Sequence, residues 1–392
     1  MNGLKFKITL LSILYFKMNT SLLGQIHGNE ESKPIFFGPE IWPTQNYGGI
    51  SRYFQNLILG TIEINKNTYF YMPKKIEKDS KLCASKQIIE VETERGKELT
   101  KVGLSRLTGN GNGGIYHSTF YGAVNYRLWH KYGFRNVITI HDLISEKFAN
   151  KSVLSRPRVD QKKRAIKFAD HIICVSNTTK NELLKFYEIP EEKLSVIYLG
   201  CNFLETQKDL DFSKPKGDYL LYVGKRGWYK NFTRFIQAYS KSRFLKENLN
   251  IVAFGGSEFT QAENELFADL KIQEKVLFMT GGDDKLASLY SNATALVYPS
   301  LDEGFGLPPL EAMSLGCPVI ASNTGSIPEI CKENAVFFDP YNLESIRDTL
   351  EISLSDTKLI TRNVASGKKH ALNFTWASTI ENTNNLYSKL LV

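Results

Sequence analysis

The sequence predicts two doubly wound α/β domains. Each half of the 392-residue chain alternates short apolar runs of strand length with amphipathic stretches of helical period. The length also exceeds that of one typical hydrophobic core. Between the halves, residues 201–217 are polar, lack a strong period and contain Pro215. We therefore place the domain boundary in that segment.

The predicted organisation has five parts. They are a poorly ordered N-terminal extension, a first α/β domain, a linker, a second α/β domain and a closing helix, over residues 1–33, 34–200, 201–217, 218–372 and 373–392. The extension holds a nine-residue apolar run from Ile8 to Phe16, which is too short to span a bilayer as a helix. This run is similar to a signal-peptide core but lacks a small-residue cleavage site. A membrane-surface anchor is the alternative interpretation.

Composition indicates a globular protein with anionic partners. The formal net charge is +8 and the isoelectric point is near 9.0, which favours nucleotide phosphates or phospholipid headgroups. No block of Lys and Arg with interleaved aromatic residues is present, so nucleic acid is not expected. The five cysteines are scattered and odd in number, which is typical of reduced thiols in a cytoplasmic protein. No Cys/His spacing predicts a metal site.

The first half opens on a buried-type strand, Ile35 to Phe37. A loop with Gly48 and Gly49 follows and leads into an amphipathic helix through Leu57 and Leu59. Glycines between a strand and a helix allow the backbone to approach an anion. A simple tight turn is the alternative explanation for this pair.

Residues 74–112 are polar and lysine-rich, and we predict an irregular connection with one helix. Within and just after them, Gly109, Gly111 and Gly114 match the pattern G-x-G-x-x-G. A dinucleotide-binding loop must follow a strand and begin a helix. These glycines instead precede the strand Ile115–Ser118, so we reject a dinucleotide site.

The remainder of the first half supplies a candidate histidine. The apolar run from Val137 to Ile144 contains His141, which we place at the carboxyl end of a strand. A further strand, His171 to Ser176, leads into a helix that begins at Asn177 with Ser/Asn capping chemistry. Pro190 to Gly200 contains the last strand of this half.

The second half begins with a basic loop. The strand Tyr219–Val223 is followed by Gly224-Lys-Arg-Gly-Trp-Tyr-Lys-Asn231 and then by a helix. Lys225, Arg226 and Lys230 place three cations within six residues, at a strand-to-helix junction of the kind that binds phosphate. Asp209 and Asp211 in the preceding linker form a D-x-D pair, which we interpret as coincidental because no strand precedes it.

Two more strands of this half end in glycines. They are Leu249–Phe254, followed by Gly255-Gly256, and Val276–Met279, followed by Thr280-Gly-Gly282. The carboxyl ends of parallel strands are where open α/β sheets bind ligands.

The central stretch of the sequence runs from Tyr298 to Glu329. It predicts a strand from Ala293 to Tyr298, a loop Asp302-Glu-Gly-Phe-Gly306 and a helix with Pro308 and Pro309 in its first turn. Gly316 and Pro318 end that helix before a strand at Val319–Ser322. Glu303 lies in the loop and Glu311 a turn into the helix, so both are expected to face one ligand.

The surroundings of these two glutamates resemble a known family. With Gly304, Phe305, Gly306 and Leu307 between them, Glu303 and Glu311 are similar to the E-x7-E signature of family 4 retaining glycosyltransferases. The resemblance extends over about residues 35–392 and implies the GT-B fold, in which two doubly wound domains face each other across a cleft. It implies that residues 34–200 form the acceptor-binding domain and residues 218–372 the nucleotide-sugar donor-binding domain. It also implies that the first carboxylate touches the donor sugar and the second holds the nucleotide ribose.

The resemblance assigns roles to the other candidates as well. It implies that Gly48 and Gly49 lie against the donor phosphates and that His141 approaches the transferring sugar. The loop containing Gly281 would hold the nucleobase. Family members commonly have Arg at the position of Lys225 and Lys at the position of Lys230, so the sequence leaves open whether Lys225 or Arg226 takes the bidentate role. The implied catalytic residues are Glu303, Lys230, Arg226 and His141; the donor-binding residues are Gly48, Gly49, Lys225, Gly281, Gly304, Phe305, Gly306, Leu307 and Glu311.

The expected function is retaining transfer of a sugar, with mannose from GDP-mannose favoured, to a hydroxyl acceptor in bacterial polysaccharide or lipopolysaccharide synthesis. The expected partners are a nucleotide-diphosphate sugar, a saccharide or lipid-linked saccharide acceptor and peripherally the anionic inner face of a membrane. No cofactor and no metal are expected. The alternatives are a non-catalytic nucleotide-sugar-binding protein and a phosphorylase-like GT-B enzyme with pyridoxal phosphate on a lysine.

Overall fold

The computed structural model describes residues 32–45, 48–73, 82, 85–91, 113–122, 126–149, 155–201 and 215–392. Several predictions lie outside these residues: the extension up to residue 31, most of the linker including Asp209 and Asp211, and the rejected glycines Gly109 and Gly111.

The strands form two sheets, and every strand pairing described is parallel. The first sheet has seven strands in the order β3-β2-β1-β4-β5-β6-β7, and the second has six in the order β10-β9-β8-β11-β12-β13. The strands are β1 (Ile35–Phe37), β2 (Thr68–Pro73), β3 (Ile88–Val91), β4 (Gly114–Ser118), β5 (Phe134–Ile140), β6 (His171–Cys174), β7 (Leu194–Val196), β8 (Tyr219–Val223), β9 (Asn250–Phe254), β10 (Val276–Met279), β11 (Ala295–Tyr298), β12 (Val319–Ser322) and β13 (Val336–Phe338).

Helices alternate with the strands as the sequence predicts. They are α1 (Gly49–Ile64), α2 (Tyr126–Lys131), α3 (Ile144–Lys147), α4 (Ser155–Phe168), α5 (Asn177–Phe186), α6 (Phe232–Ser240), α7 (Arg243–Asn248), α8 (Gln261–Asp269), α9 (Asp283–Asn292), α10 (Leu307–Ser314), α11 (Ile327–Cys331), α12 (Leu343–Ser355), α13 (Thr357–Ala371) and α14 (Trp376–Leu391). Short 3₁₀ segments cover Glu191–Lys193, Trp228–Lys230, Gln273–Lys275 and Lys332–Asn334. The predicted α/β class with two parallel sheets is confirmed.

The chain divides into two compact units. The first comprises residues 1–139, 160–172 and 383–392, and the second comprises residues 140–159 and 173–382. The closing helix α14 begins in the second unit and contributes its last residues to the first.

An aromatic core fills the first unit. Phe36 of β1 stacks against Tyr69 and Tyr71 of β2, and Tyr116 of β4 stacks on Trp129 of α2 with ring centroids 4.2 Å apart. Large rings bury more apolar area per residue than aliphatic side chains, and their offset pairs add a specific geometric preference. This packing explains why strands as short as β1 hold a fixed position.

The second sheet has a mainly aliphatic and aromatic core on which α6, α7 and α12 pack. Leu220, Ile251 and Val297 on three neighbouring strands are fully buried together with Phe235 and Ile236 of α6. Strands buried on both faces read as continuous apolar runs, and that pattern made β8, β9 and β11 recognisable in the sequence.

The strand order of the second sheet also identifies its topological switch point, where open α/β sheets bind ligands. β8 lies at its centre, with β9 on one side and β11 on the other. Chain connections therefore leave β8 and β11 in opposite directions, which makes their carboxyl ends the topological switch point of the sheet. The loops that follow β8 and β11 are Gly224–Asn231 and Pro299–Gly306.

Two local predictions are wrong. The segment 74–112 contains β3, which pairs with β2 from Phe70 with Ile88 onwards; a four-residue strand in a polar, lysine-rich segment gives little periodic signal. The apolar run from Val137 to Ile144 is not one strand, because β5 ends at Ile140 and α3 begins at Ile144, although His141 does follow the carboxyl end of a strand as predicted. Asp142 Oδ1 accepts a hydrogen bond from the Ile144 backbone N–H at 3.1 Å, which turns the chain out of the sheet.

The cysteines within the described residues are free thiols. Cys174, Cys201, Cys317 and Cys331 are all buried. Burial raises the pKa of the Cys174, Cys317 and Cys331 thiols to about 12. No helix in the described part of the chain combines the length and the apolar character that a membrane span needs.

Candidate active site

The loop between β11 and α10 is held in place by hydrogen bonds that its backbone carbonyl groups accept from side chains elsewhere in the chain. Gly304 O accepts hydrogen bonds from Ser176 Oγ at 2.7 Å and from Thr179 Oγ1 at 2.9 Å. Ser326 Oγ donates to Glu303 O at 3.0 Å and to Phe305 O at 2.7 Å. The backbone of the predicted donor loop is thus tied to side chains from two other segments before any ligand arrives.

Two glycines allow this close packing. A Cβ at Gly304 would lie 1.6 Å from the His141 carbonyl oxygen. A Cβ at Gly325 would lie 2.7 Å from the Glu303 nitrogen and 2.8 Å from Asp302 Oδ1, and Gly325 has a φ of 60°. Gly304 therefore brings the loop against the segment that carries His141, and both predicted site residues lie in the second unit.

Lys230 and Glu303, 73 residues apart in the chain, form an ion pair. Lys230 Nζ lies 2.6 Å from Glu303 Oε1 and 3.3 Å from the Tyr298 hydroxyl. The ammonium also lies 5.3 Å from the Tyr229 ring centroid and 5.4 Å from that of Tyr298, distances at which a cation is attracted to an aromatic face. The structure thus brings together two of the implied catalytic residues, one cationic and one acidic.

The backbone conformation of residues 228–231 sets the position of Lys230. The 3₁₀ segment Trp228–Lys230 is followed by Asn231, which has a left-handed φ of 59° and serves as N-cap of α6. Asparagine tolerates this conformation better than most residues, and Asn231 Nδ2 donates to Pro340 O at 2.8 Å. Leu301 N donates to Tyr229 O at 2.7 Å, which ties the basic loop to the loop after β11.

Glu311 occupies an interior position on α10. Glu311 is 6% exposed, and its Oε2 accepts a hydrogen bond from the Tyr290 hydroxyl at 3.0 Å. Burial and the Glu311 charge hold the pKa of Tyr290 well above its usual value, so this phenol stays protonated and donates. Burial and the Glu303 charge act on the pKa of Tyr298 in the same direction.

Helix α10 begins after a glycine in the left-handed region, and no side chain caps its first turn. Gly306, the N-cap, has a φ of 106°, and Leu307, Pro308 and Pro309 open the helix without a side-chain cap. Prolines in the first turn remove N–H groups that a helix leaves unpaired anyway. The positive end of the helix dipole favours an anion at this position, and donor binding by Phe305, Gly306 and Leu307 stays a prediction.

A second carboxylate of the loop is paired within the protein. Asp302 is 2% exposed, and its Oδ1 lies 2.6 Å from Lys147 Nζ, which also contacts Glu182. Burial raises the pKa of Asp302 to about 7, although the Lys147 ammonium acts in the opposite direction. Lys147 was not predictable as a site residue, because a lysine on a four-residue helix carries no motif.

The remaining predicted residues occupy varied surroundings. The Lys225 side chain and Gly281 are exposed. Gly48 is the N-cap of α1, where Gln45 Oε1 accepts hydrogen bonds from the backbone N–H groups of Ile50 and Ser51, both at 3.2 Å. Gln45 thereby caps the helix that Gly49 begins, and both glycines belong to the first unit.

Arg226 differs from the other cations of its loop. Its side chain is 5% exposed and pairs with Glu263, with Nε 2.7 Å from Glu263 Oε1. In the residues that the structure describes, no group of three or more His, Cys, Asp or Glu side chains is arranged to hold a metal ion.

Two family models match adjacent parts of the chain. Residues 115–203 match the model described as Glycosyltransferase Family 4, and residues 205–370 match Glycosyl transferases group 1. Together they include the β11–α10 loop, the basic loop and His141.

Curated relatives are similar over part of their length. The O-antigen chain mannosyltransferase RfbU of Salmonella typhimurium is 34% identical over 191 residues, which are 48% of this chain and 52% of that protein. The chain thus spans about half the length of this relative. The O-antigen chain mannosyltransferase B of Escherichia coli is 27% identical over 70% of this chain and 75% of its own length.

Solved structures show the same fold. Alr3699/HepE of Anabaena, crystallised with UDP and glucose, matches with a TM-score of 0.71 at 15% identity, over 91% of this chain and 100% of its own. The architecture of this chain is the GT-B fold, and the predicted fold class is confirmed.

Proposed function

We propose that this chain is a group 1 glycosyl transferase that transfers a hexose from a nucleotide-diphosphate sugar to a hydroxyl acceptor in bacterial surface-polysaccharide synthesis. The observation that carries the proposal is the ion pair between Lys230 and Glu303 in the loops that follow β8 and β11. A cation for a leaving phosphate and a carboxylate for a sugar hydroxyl then lie at one switch point of the sheet.

The proposed donor is GDP-mannose. Its support is the similarity to two O-antigen chain mannosyltransferases, whereas the fold neighbour HepE was crystallised with UDP and glucose. We propose a saccharide or lipid-linked saccharide as acceptor, with peripheral contact to an anionic membrane surface, which the net charge of +8 favours.

The proposed chemistry is a front-face displacement with retention at the anomeric carbon. The bond between the anomeric carbon and the β-phosphate oxygen breaks, and its electron pair stays on that oxygen. The acceptor oxygen bonds to the anomeric carbon from the same face, and its proton passes to the leaving phosphate. Electrostatic stabilisation of the growing phosphate charge supplies the main rate enhancement in such a reaction.

The residues of this chain have distinct parts in that reaction. Lys230 supplies a positive charge to the departing diphosphate, and Lys225 adds a second from the exposed side of the loop. Glu303 holds Lys230 and binds a hydroxyl of the donor sugar, while Glu311 binds the nucleotide ribose. The N–H groups from Phe305 to Leu307 at the start of α10 contact the diphosphate, and His141 lies beside the transferring sugar.

We propose that no metal ion takes part. The cations of the basic loop perform the charge neutralisation that a D-x-D metal site provides elsewhere. Transfer should therefore persist in excess EDTA. Loss of activity that Mg²⁺ or Mn²⁺ restores would contradict this part of the proposal.

Thermal-shift screening against a panel of nucleotide sugars tests the function directly, since a ligand that binds only the folded state raises its apparent stability. GDP-mannose is expected to give the largest shift, and the donor that binds is then assayed for transfer and for slow hydrolysis. A protein that binds a donor but supports neither reaction would be a binding subunit. An absorbance band of bound pyridoxal phosphate would indicate the phosphorylase-like alternative.

A further inference from the structure

Each nitrogen of the Arg226 guanidinium donates a hydrogen bond to an acceptor within the protein. Its Nε donates to Glu263 Oε1 at 2.7 Å, and its Nη2 donates to the carbonyl oxygens of Ser257 at 2.6 Å and Glu258 at 2.9 Å. Its Nη1 donates to Gly255 O at 3.3 Å. These acceptors all belong to the segment that leads from β9 into α8.

Aromatic rings surround the same guanidinium. Its central carbon lies 4.7 Å from the Phe259 ring centroid, 5.6 Å from that of Phe278 and 5.9 Å from that of Phe232. A planar, weakly hydrated cation suits such a position better than an ammonium. The side chain is therefore directed into the second unit and away from solvent.

Glu263 joins this contact to the start of α8. Its Oε2 accepts hydrogen bonds from Thr260 N at 2.8 Å and from Thr260 Oγ1 at 3.0 Å, which completes a capping box. Burial alone would raise the pKa of Glu263, but the hydrogen bonds from Arg226 and Thr260 outweigh it and hold this pKa below its usual value. One carboxylate thus fixes both the helix start and the Arg226 side chain.

We infer that Arg226 is a positioning residue, which fastens the β9–α8 segment to the basic loop and leaves Lys225 as the loop's second cation for the diphosphate. The inference rests on the proposed function and deepens it. Turning the guanidinium toward a phosphate would leave a partly buried carboxylate and three carbonyl groups without their donor. Unpaired buried groups of this kind are costly, whereas Lys225 is already exposed.

The test compares Arg226→Gln, Glu263→Gln and the double variant with Lys225→Gln as the matched control. Dissociation constants are measured for GDP and UDP and for the corresponding monophosphates. Arg226→Gln and Glu263→Gln should each weaken binding by about tenfold, the size expected for one lost charged hydrogen bond. The double variant should be no worse than Arg226→Gln alone, because both changes break the contact that Arg226 and Glu263 share.

The diphosphate-to-monophosphate preference separates positioning from direct contact. Lys225→Gln should reduce that preference, whereas Arg226→Gln and Glu263→Gln should leave it unchanged. Arg226→Lys should not rescue, since one ammonium cannot replace a planar fork that serves several acceptors. A rescue by Lys, or a loss of diphosphate preference in Arg226→Gln with normal binding in Glu263→Gln, would overturn the inference.

Thermal unfolding of the same four variants without ligand keeps this test separate from that of the proposed function. The losses of Arg226→Gln and Glu263→Gln should be non-additive in the double variant, whatever the protein binds. Additive losses would overturn the inference. Wild-type protein that binds no nucleotide would instead overturn the proposed function, and with it the role of Arg226 at a donor site.

Discussion

Gly304 lies so close to the His141 carbonyl oxygen that a Cβ there would approach it to 1.6 Å. No side-chain rearrangement relieves this overlap, because the opposing atom belongs to the backbone. The loop that carries Glu303 can therefore pack against the segment that carries His141 only if residue 304 is glycine.

Gly304→Ala should consequently displace the Glu303 loop. A shift of about 1 Å in a catalytic group costs roughly a hundredfold in rate, and we expect a loss of that size in kcat together with a lower Tm. Gly227→Ala is the control, because a Cβ at Gly227 meets nothing within 4 Å. A Gly304→Ala protein with wild-type kcat would show that the loop geometry is not required.

Lys230→Ala should lower kcat by more than it raises the donor KM, since negative charge grows on the leaving diphosphate in the transition state. A lost charge-assisted contact of about 3 kcal/mol corresponds to roughly a hundredfold. Lys230→Arg should restore activity only in part, because a planar fork does not fit between the Tyr229 and Tyr298 rings as a point charge does.

Steady-state kinetics of these variants, with folding checked by circular dichroism, provide the measurement for Lys230. Lys241→Ala removes an exposed lysine paired with Glu344 and should leave both constants unchanged. A folded Lys230→Ala enzyme with normal kcat and only a higher KM would reduce Lys230 to a donor-binding residue.

The two glutamates of the motif should separate kinetically. Glu311→Ala should mainly raise the donor KM through lost ribose contacts, while Glu303→Ala should also depress kcat because it releases Lys230. Tyr290→Phe is the matched control for Glu311, since it deletes the hydrogen bond at Glu311 Oε2 and keeps the carboxylate. Wild-type kcat/KM for the donor in both Ala variants would refute the assignment.

Because the pKa of the buried Asp302 carboxyl is raised, we expect the stability of the protein to depend on pH. Its pKa rises from 3.8 to about 7 in the folded protein because the group is buried. An acid whose folded pKa is raised binds its proton more tightly when folded, so the associated stability is present below the unfolded pKa and is lost as pH rises through about 7. Lys147, Glu182 and Glu303 are the charged groups that act on it.

The Tm of the wild-type protein should therefore fall relative to that of Asp302→Asn between about pH 4 and about pH 8. Asp269→Asn, at an exposed position on α8, should instead run parallel to wild type over this range. Parallel curves for Asp302→Asn and wild type would show that Asp302 is ionised throughout.

Much of the fold was predictable because most of its strands are apolar runs, which are buried along their whole length in β1, β8 and β12. Continuous apolar runs marked β1, β8, β10 and β12 to the residue, and glycine with proline marked the start and end of α10. β3 was missed because it is short, lies in a polar, lysine-rich segment and pairs with only β2. The strand of His141 was drawn too long because Leu143 and Ile144 continue the apolar run past the turn at Asp142.

The site was predictable as a set of loops but not as a set of contacts. Glu303 and Lys230 carry sequence motifs, and their ion pair follows from the switch point between β8 and β11. The direction of Arg226 was not predictable, since its partner Glu263 belongs to a capping box that any solvent-exposed helix can have. Lys147 and Ser326 hold the Glu303 loop through contacts that only the folded chain brings together.

The buried thiols give this protein an internal reporter of unfolding. Thiolates react with alkylating reagents, and a thiol with pKa near 12 is almost entirely protonated at neutral pH. In a Cys83→Ser background, which removes the one cysteine outside the described residues, alkylation should proceed only when the chain opens. After a short pulse of alkylating reagent, mass spectrometry gives the number of labelled cysteines per chain. This number compares how often each variant unfolds, and the measurement works in cell extract and needs no substrate.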